Sequence, residues 1–408
     1  MSGPLEASAF AFASDLADEG VDAALGNLHY RAGLDGVTPA FVYHAARDVF
    51  PHNPKRKVHL LDRGAHFFPP DWGLYDGLRI QPSVHPTARE RDVLEETCRE
   101  AGRRGMRVHA WTVFLHVDRP GEHVECTTRN VFGDHYAADL CPANPDVRSY
   151  VRALVADVAR YEVETILAES LHYHGLEHGY HHERYFIELG PWVHYLLGLC
   201  FCESCLDRAR RQGVAVDAVR SAVRGEIEHA FAERHVSVDD DVESLAGALA
   251  GGELAGYLDA RAETVTTLVA EAAEVAAASG RRLVFLELAG AVKGYASGRP
   301  VGAPAAESSW RLGVDLAGIA RVCPEIEVLG YAADVERVRL DLAKYRDHVG
   351  AAALSVALRP SPPDCETPEN LAAKVELARE EGVRRVDFYH YGFVRLEALD
   401  WMRAALDT

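Results

Sequence analysis

The segments Leu140-Cys141-Pro142-Ala143-Asn144-Pro145, Val163-Glu164-Thr165-Ile166-Leu167-Ala168-Glu169 and Cys200-Phe201-Cys202-Glu203-Ser204-Cys205 fall within one stretch of the chain. Asn144 is a good N-cap and Pro145 suits the first position of a helix. Val147, Tyr150, Val151, Leu154, Val155 and Val158 then recur at the three/four spacing of one buried helical face. The run Val163 to Glu169 is short, β-branched and apolar, which predicts a buried strand ending in a carboxylate. A helix followed by a buried strand is the repeating unit of an α/β barrel, where the C-terminal ends of the strands carry the chemistry.

Outward from this stretch the same alternation recurs. Strands are predicted at Asp22 to Tyr30, Lys57 to Asp62, Met106 to Phe114, Arg282 to Leu288, Ile326 to Gly330, Ala352 to Leu358 and Arg385 to Tyr391. Helices are predicted around Thr38 to Val49, Arg89 to Ala101, Trp310 to Val322, Val335 to His348, after Thr367-Pro368-Glu369, and at the end of the chain. Eight strands alternating with helices predict a (β/α)8 TIM barrel. The helical, Ala-rich chain after Glu188 is too long for one barrel helix. It predicts a helical insertion after strand four, with residues 1–183 as the first half of the barrel, 184–250 as the insertion, and 251–408 as the second half.

Cys200, Cys202 and Cys205 present three thiols, and Cys141 can supply a fourth; four thiolates suit a tetrahedral structural zinc. The order Cys141-Pro142-Ala143-Asn144-Pro145, then Glu169 at a strand end, then Cys200/Cys202/Cys205 resembles the zinc-containing bacterial β-galactosidases of glycoside hydrolase family 42. The resemblance covers roughly Met106 to Arg210 and is specific over the cysteines. It implies a glycosidase barrel with Glu169 as acid/base and one structural zinc on Cys141, Cys200, Cys202 and Cys205. Two features depart from that family. Its acid/base is preceded by Asn, where this chain has Ala168, and its nucleophile Glu ends strand seven, where this chain has Arg359.

The formal charge of −19 excludes a generic nucleic-acid or anionic-membrane binder, since both need a basic footprint. No apolar run approaches the ~20 residues of a membrane span, and Met1 to Glu6 does not read as a signal peptide. Clustered cysteines in a chain of 408 residues suit metal binding in a reducing compartment, hence a cytoplasmic protein. A small carbohydrate or glycoside is the expected partner, and homo-oligomerisation is left open.

Glycoside hydrolysis needs two carboxyls, one protonated and one ionised. Glu169 is the expected acid and Glu287 the leading partner, ahead of Asp62 and Asp334. Asn27, Asp62, Arg63, His109, Trp111, Tyr331, Arg359 and His390 lie near predicted strand ends and are expected to face the substrate, although His109 reads equally well as an interior histidine. Arg359 suits an anionic substrate group or an ion pair. His172, His174, His178, His181 and His182 crowd the loop after Glu169. That loop reads as a second metal site, as sugar hydrogen-bonding groups led by His172 and His178, or as a structurally bonded turn. Two alternatives therefore stand beside hydrolysis: a barrel that binds sugar without cleaving it, and a metal-dependent lyase, isomerase or hydrolase using this loop.

Overall fold

A computed structural model describes residues 5–61, 63–119, 121–176, 184–232, 241–290 and 298–408. Eight parallel strands close into a barrel: β1 (Glu6–Ala11), β2 (Gly36–Tyr43), β3 (Arg107–Val113), β4 (Thr165–Glu169), β5 (Arg282–Glu287), β6 (Glu325–Leu329), β7 (Ala353–Leu358) and β8 (Arg385–Phe388). β8 closes the ring on β1 with Glu6 opposite Arg385, and β1 pairs β2 with Phe10 opposite Thr38. Helices follow the strands and form the outer layer, so the architecture is the expected (β/α)8 TIM barrel.

β3 to β8 lie where their β-branched and aromatic runs place them; the first two strands do not. The stretch expected as strand one is helical, over Val21–Gly26 and a π-turn at Asn27–Arg31. Val21, Ala24, Leu25 and Leu28 are its buried residues, at helical spacing. β1 is instead Glu-Ala-Ser-Ala-Phe-Ala, small residues with little strand propensity that are buried throughout. β2 occupies the region expected as a helix. Pro39 interrupts its donors, and the ladder to β3 shifts register between Ala40 and Val42. Val58–Leu61 is a strand, but it pairs antiparallel with Ala46–Val49 in a hairpin outside the barrel.

Between β4 and β5 the described residues form helices Pro191–Leu197, Glu203–Arg211, Val216–Ala232, Val242–Ala248 and Glu253–Ala278. The last packs on β5 and on helix Pro145–Val158. Ala250, Gly251 and Gly252 turn the chain into it with positive φ, and two of the three are the residue type that adopts this conformation without penalty. Among the described residues no helix is long and apolar enough to cross a membrane.

Barrel interiors are commonly filled with branched apolar side chains. The lower lumen here is polar. Arg385 is fully buried and donates to Glu325 Oε1 at 2.9 Å and to Glu327 Oε2 at 2.8 Å, while its Nε meets Asp387. Arg282 and Ser355 also bond Glu325, and Thr38 bonds both Asp387 and Ser8. Beside this set, His109 joins Glu6 Oε1 and Thr165 Oγ1, each at 2.8 Å. Every strand of the barrel thus contributes a side chain to one polar floor. A buried charge left without its partner costs ~3–5 kcal/mol. Arg385→Met takes the guanidinium from Glu327 and Asp387, while Glu325 keeps Arg282, and urea unfolding should show a loss of about that size.

Candidate active site at the barrel mouth

In-register residues of a parallel sheet share a face, so the strand pairings sort side chains between lumen and helix layer. Val113 lies opposite Glu169, and Trp111 opposite Leu167. Trp111, Val113, Leu167 and Glu169 therefore all point inward, above the polar floor. Trp111 is buried and donates its indole N–H to Glu169 Oε2. Phe10, Phe12, Tyr43, Tyr389 and His390 surround the indole with ring centroids 4.7–6.0 Å away.

Glu169 is half-buried and set by backbone as well as by Trp111. Its carbonyl accepts from Phe114, and Ser170 behind it holds a left-handed φ of 57° while accepting from Leu115. Burial raises the Glu169 pKa to about 7, against the pull of the Trp111 N–H and of His116. Such a carboxyl is partly protonated at neutral pH, as a general acid requires.

Histidines line the side of the mouth beneath β2 to β4. His44 and His116 are stacked at 4.7 Å, and His116 Nε2 is 2.7 Å from Asp118 Oδ1. His174 Nδ1 lies 3.2 Å from Asp139 Oδ1, and His172 is bonded through Nδ1 to the carbonyl of Tyr173 at 2.7 Å. Burial and the neighbouring His116 lower the His44 pKa to about 4; burial likewise lowers His172 to about 4. Burial also opposes protonation of His116, but Asp118 outweighs it and raises that pKa.

The far rim carries Tyr331 under the Arg359 guanidinium at 4.5 Å, and Tyr389 at 5.8 Å from Tyr331. Arg359 forms a two-point pair with Asp364, so the strand-seven cation is already neutralised by this chain. His390 accepts from the N–H of Gly392 and packs 4.2 Å from Phe12.

Glu169, Trp111, His172, Tyr331, Arg359 and His390 thus occupy the C-terminal end of the barrel. Glu287, His109, Asn27 and Arg63 do not join them. Glu287 follows Leu286, which pairs with the lumen-facing Glu327, so Glu287 points outward. There it accepts from Tyr345, from Ser309 at 3.0 Å and from the Ala289 N–H at 3.0 Å, and it is no partner for Glu169. His109 belongs to the polar floor. Asn27 sits on the π-turn outside β1, bonded to Glu19 and Tyr391. Arg63 is exposed, 3.8 Å from Glu122. Asp62 and His178 lie outside the described residues. His44, Asp118 and Tyr389 were not anticipated. His44 falls in the stretch expected as a helix, Asp118 lies beyond the expected third strand, and Tyr389 lies inside the expected eighth strand without being singled out.

The four cysteines converge as expected. Cys141 Sγ is 3.5 Å from those of Cys202 and Cys205 and 3.9 Å from that of Cys200, and all four lie within 4.8 Å of one another. Sulfurs on a tetrahedral ion with ~2.3 Å bonds sit about 3.8 Å apart, so the set fits such an ion. All four are buried and free of disulfides. The N–H of Arg129 donates to Cys200 Sγ at 3.4 Å, and the Tyr173 hydroxyl lies 3.2 Å from Cys205 Sγ. These are the contacts that orient metal thiolates.

No family model and no curated protein matches the chain. Solved structures match it in fold. The β-galactosidase of the psychrophilic Marinomonas ef1 aligns with a TM-score of 0.57 at 11% identity, over 99% of this chain and 59% of that one. The catalytic domain of the β-amylase from Paenibacillus polymyxa gives 0.53 at 10% identity, over 98% and 95%. The β-galactosidase from Bacillus circulans sp. alkalophilus gives 0.52 at 12%, over 95% and 50%. This chain therefore spans only 59% and 50% of the two β-galactosidases. What is shared at these identities is the fold, a (β/α)8 barrel.

The outward placement of Glu287 has a measurable signature. Burial raises its pKa to about 7, above the 4.5 of an unfolded Glu. Its contribution to stability is therefore full below pH 4.5 and is lost as pH rises through 7. At 1.36 kcal/mol per unit the loss approaches ~3 kcal/mol. Glu287→Gln should remove that share of the pH dependence in denaturant unfolding between pH 5 and 8.

Proposed function

We propose that this protein is a carbohydrate-active hydrolase in which Glu169 is the general acid. The observation that carries the reading is Glu169 itself: a lumen-facing carboxyl at the end of β4, poised near neutrality by burial, beside the Trp111 indole. Tyr389, half-buried at the rim, offers an aromatic face of the kind that suits the apolar face of a sugar ring. Protonated Glu169 would give its proton to the departing glycosidic oxygen.

A double displacement needs a second carboxylate about 5–5.5 Å from the acid. β5 turns its Glu outward and β7 is followed by Arg359. The reading we favour is accordingly a single displacement by water. Asp118 and Asp139, the carboxylates beside the mouth histidines, are where its base is to be sought. The same missing strand-seven carboxylate favours the second reading, a barrel that binds sugar without cleaving it.

The test is Glu169→Gln assayed on activated aryl glycosides and on an unactivated glycoside. Loss of the acid should slow the unactivated substrate by ~10²–10⁴-fold and the activated ones far less. Wild-type turnover should fall about tenfold per pH unit above pH 7, as the acid deprotonates. Equal rates for Glu169→Gln and wild type on the unactivated substrate overturn the assignment. A wild type that binds sugars but cleaves none moves it to the second reading.

We also propose that Cys141, Cys200, Cys202 and Cys205 hold one structural zinc. The reduced thiols are the ground on which we read the protein as cytoplasmic. Elemental analysis should find this zinc in the wild type and not in Cys202→Ser, which should unfold at markedly lower temperature. A fully stable protein without zinc refutes this.

A further inference from the structure

His44 and His116 leave the C-terminal ends of β2 and β3, and Asp118 lies two residues beyond His116. One nitrogen from each ring and one carboxylate oxygen all lie within 4.8 Å of one another. The backbone of Ala45 fixes two of the three groups. Its carbonyl accepts from His44 Nδ1 at 2.7 Å, so the lone pair of that imidazole is on Nε2. Its N–H donates to Asp118 Oδ2 at 2.7 Å, which leaves Oδ1 turned towards His116 Nε2. Asp118 holds a left-handed φ of 40°.

We propose that His44, His116 and Asp118 form a divalent-cation site at the barrel mouth, separate from the cysteine cluster. Two imidazoles and one carboxylate select a first-row transition ion such as zinc, manganese or cobalt over calcium or magnesium. The Ala45 contacts are the outer shell that a metal-binding histidine and carboxylate ordinarily have. Three protein ligands leave coordination positions open. The two histidines and Glu169 lie at the C-terminal ends of neighbouring strands, β2, β3 and β4. A pair of sugar hydroxyls, or another chelating oxygen pair, is the ligand class that would complete the shell. The site does not rest on the hydrolase reading, since binding of an ion needs no turnover.

Titration of the intact, metal-stripped protein with Co²⁺ tests it. Cobalt on thiolates gives strong sulfur-to-metal charge transfer, whereas cobalt on nitrogen and oxygen gives only weak visible bands. Wild type should take up two equivalents, one with charge transfer and one without. Asp118→Asn and His44→Ala, both checked for wild-type circular dichroism, should lose the second equivalent or bind it at least tenfold more weakly. The proposal is overturned if wild type binds only the thiolate equivalent. It is overturned equally if both variants keep the second one unchanged, in which case the histidines and Asp118 are a hydrogen-bonded group and nothing more.

Discussion

A guanidinium buried in the middle of a barrel is the constraint on which this structure depends. Arg385 must be met by carboxylates from β6 and β8, and those in turn by groups from β2, β5 and β7. Because successive strand residues face opposite ways, a slip of one residue in any of these strands would turn its partner out of the lumen. The polar floor therefore specifies register around the ring, a task that uniform apolar packing performs less strictly. It also lets the layer above be dry. With Arg385 at the centre of the floor meeting three carboxyls, Trp111 and its ring of aromatics close over it, and Glu169 meets a desolvated environment.

Desolvation alone does not make a catalytic group, as the two glutamates show. Glu169 and Glu287 end neighbouring strands, and burial sets both near pH 7. One faces the lumen beside an indole; the other faces the helix layer, where Tyr345, Ser309 and Ala289 saturate it. Parity along the strand separates a group that can meet a substrate from one that joins a helix to the sheet. A perturbed carboxyl acquires functional meaning only when its face of the sheet is known.

The same parity explains what could be read from the sequence. β3 to β8 announce themselves through runs such as Leu283-Val284-Phe285-Leu286, and the cysteine spacing anticipates the cluster. β1 was hidden because its core residues are alanines, and β2 because Pro39 masks a strand that tolerates it through a bulge. Reading Thr38 to Val49 as a helix moves His44 from a strand end into that helix, and so the ring that stacks on His116 escapes notice. Glu287 was misjudged for a different reason. Its position at a strand end is plain in the sequence, but its face depends on pairing with Leu286 and Glu327, which only the assembled sheet supplies. His109 is a milder case, since an interior histidine was one of its two readings and Glu6, its partner, lay outside any predicted strand.

The cysteine cluster has a consequence for how this barrel can diversify. Cys141 precedes helix Pro145–Val158 and β4, and Cys200 to Cys205 follow the histidine-bearing loop, so the four sulfurs gather both ends of the segment that carries Glu169 to one point. Closing a flexible loop costs free energy that grows only with the logarithm of its length, about 0.6 kcal/mol per doubling. The chain between β4 and Cys200 can therefore lengthen, shorten or change composition over evolutionary time while its anchor stays fixed. A barrel anchored in this way can exchange the segment that follows β4 and keep the carboxyl at the end of that strand.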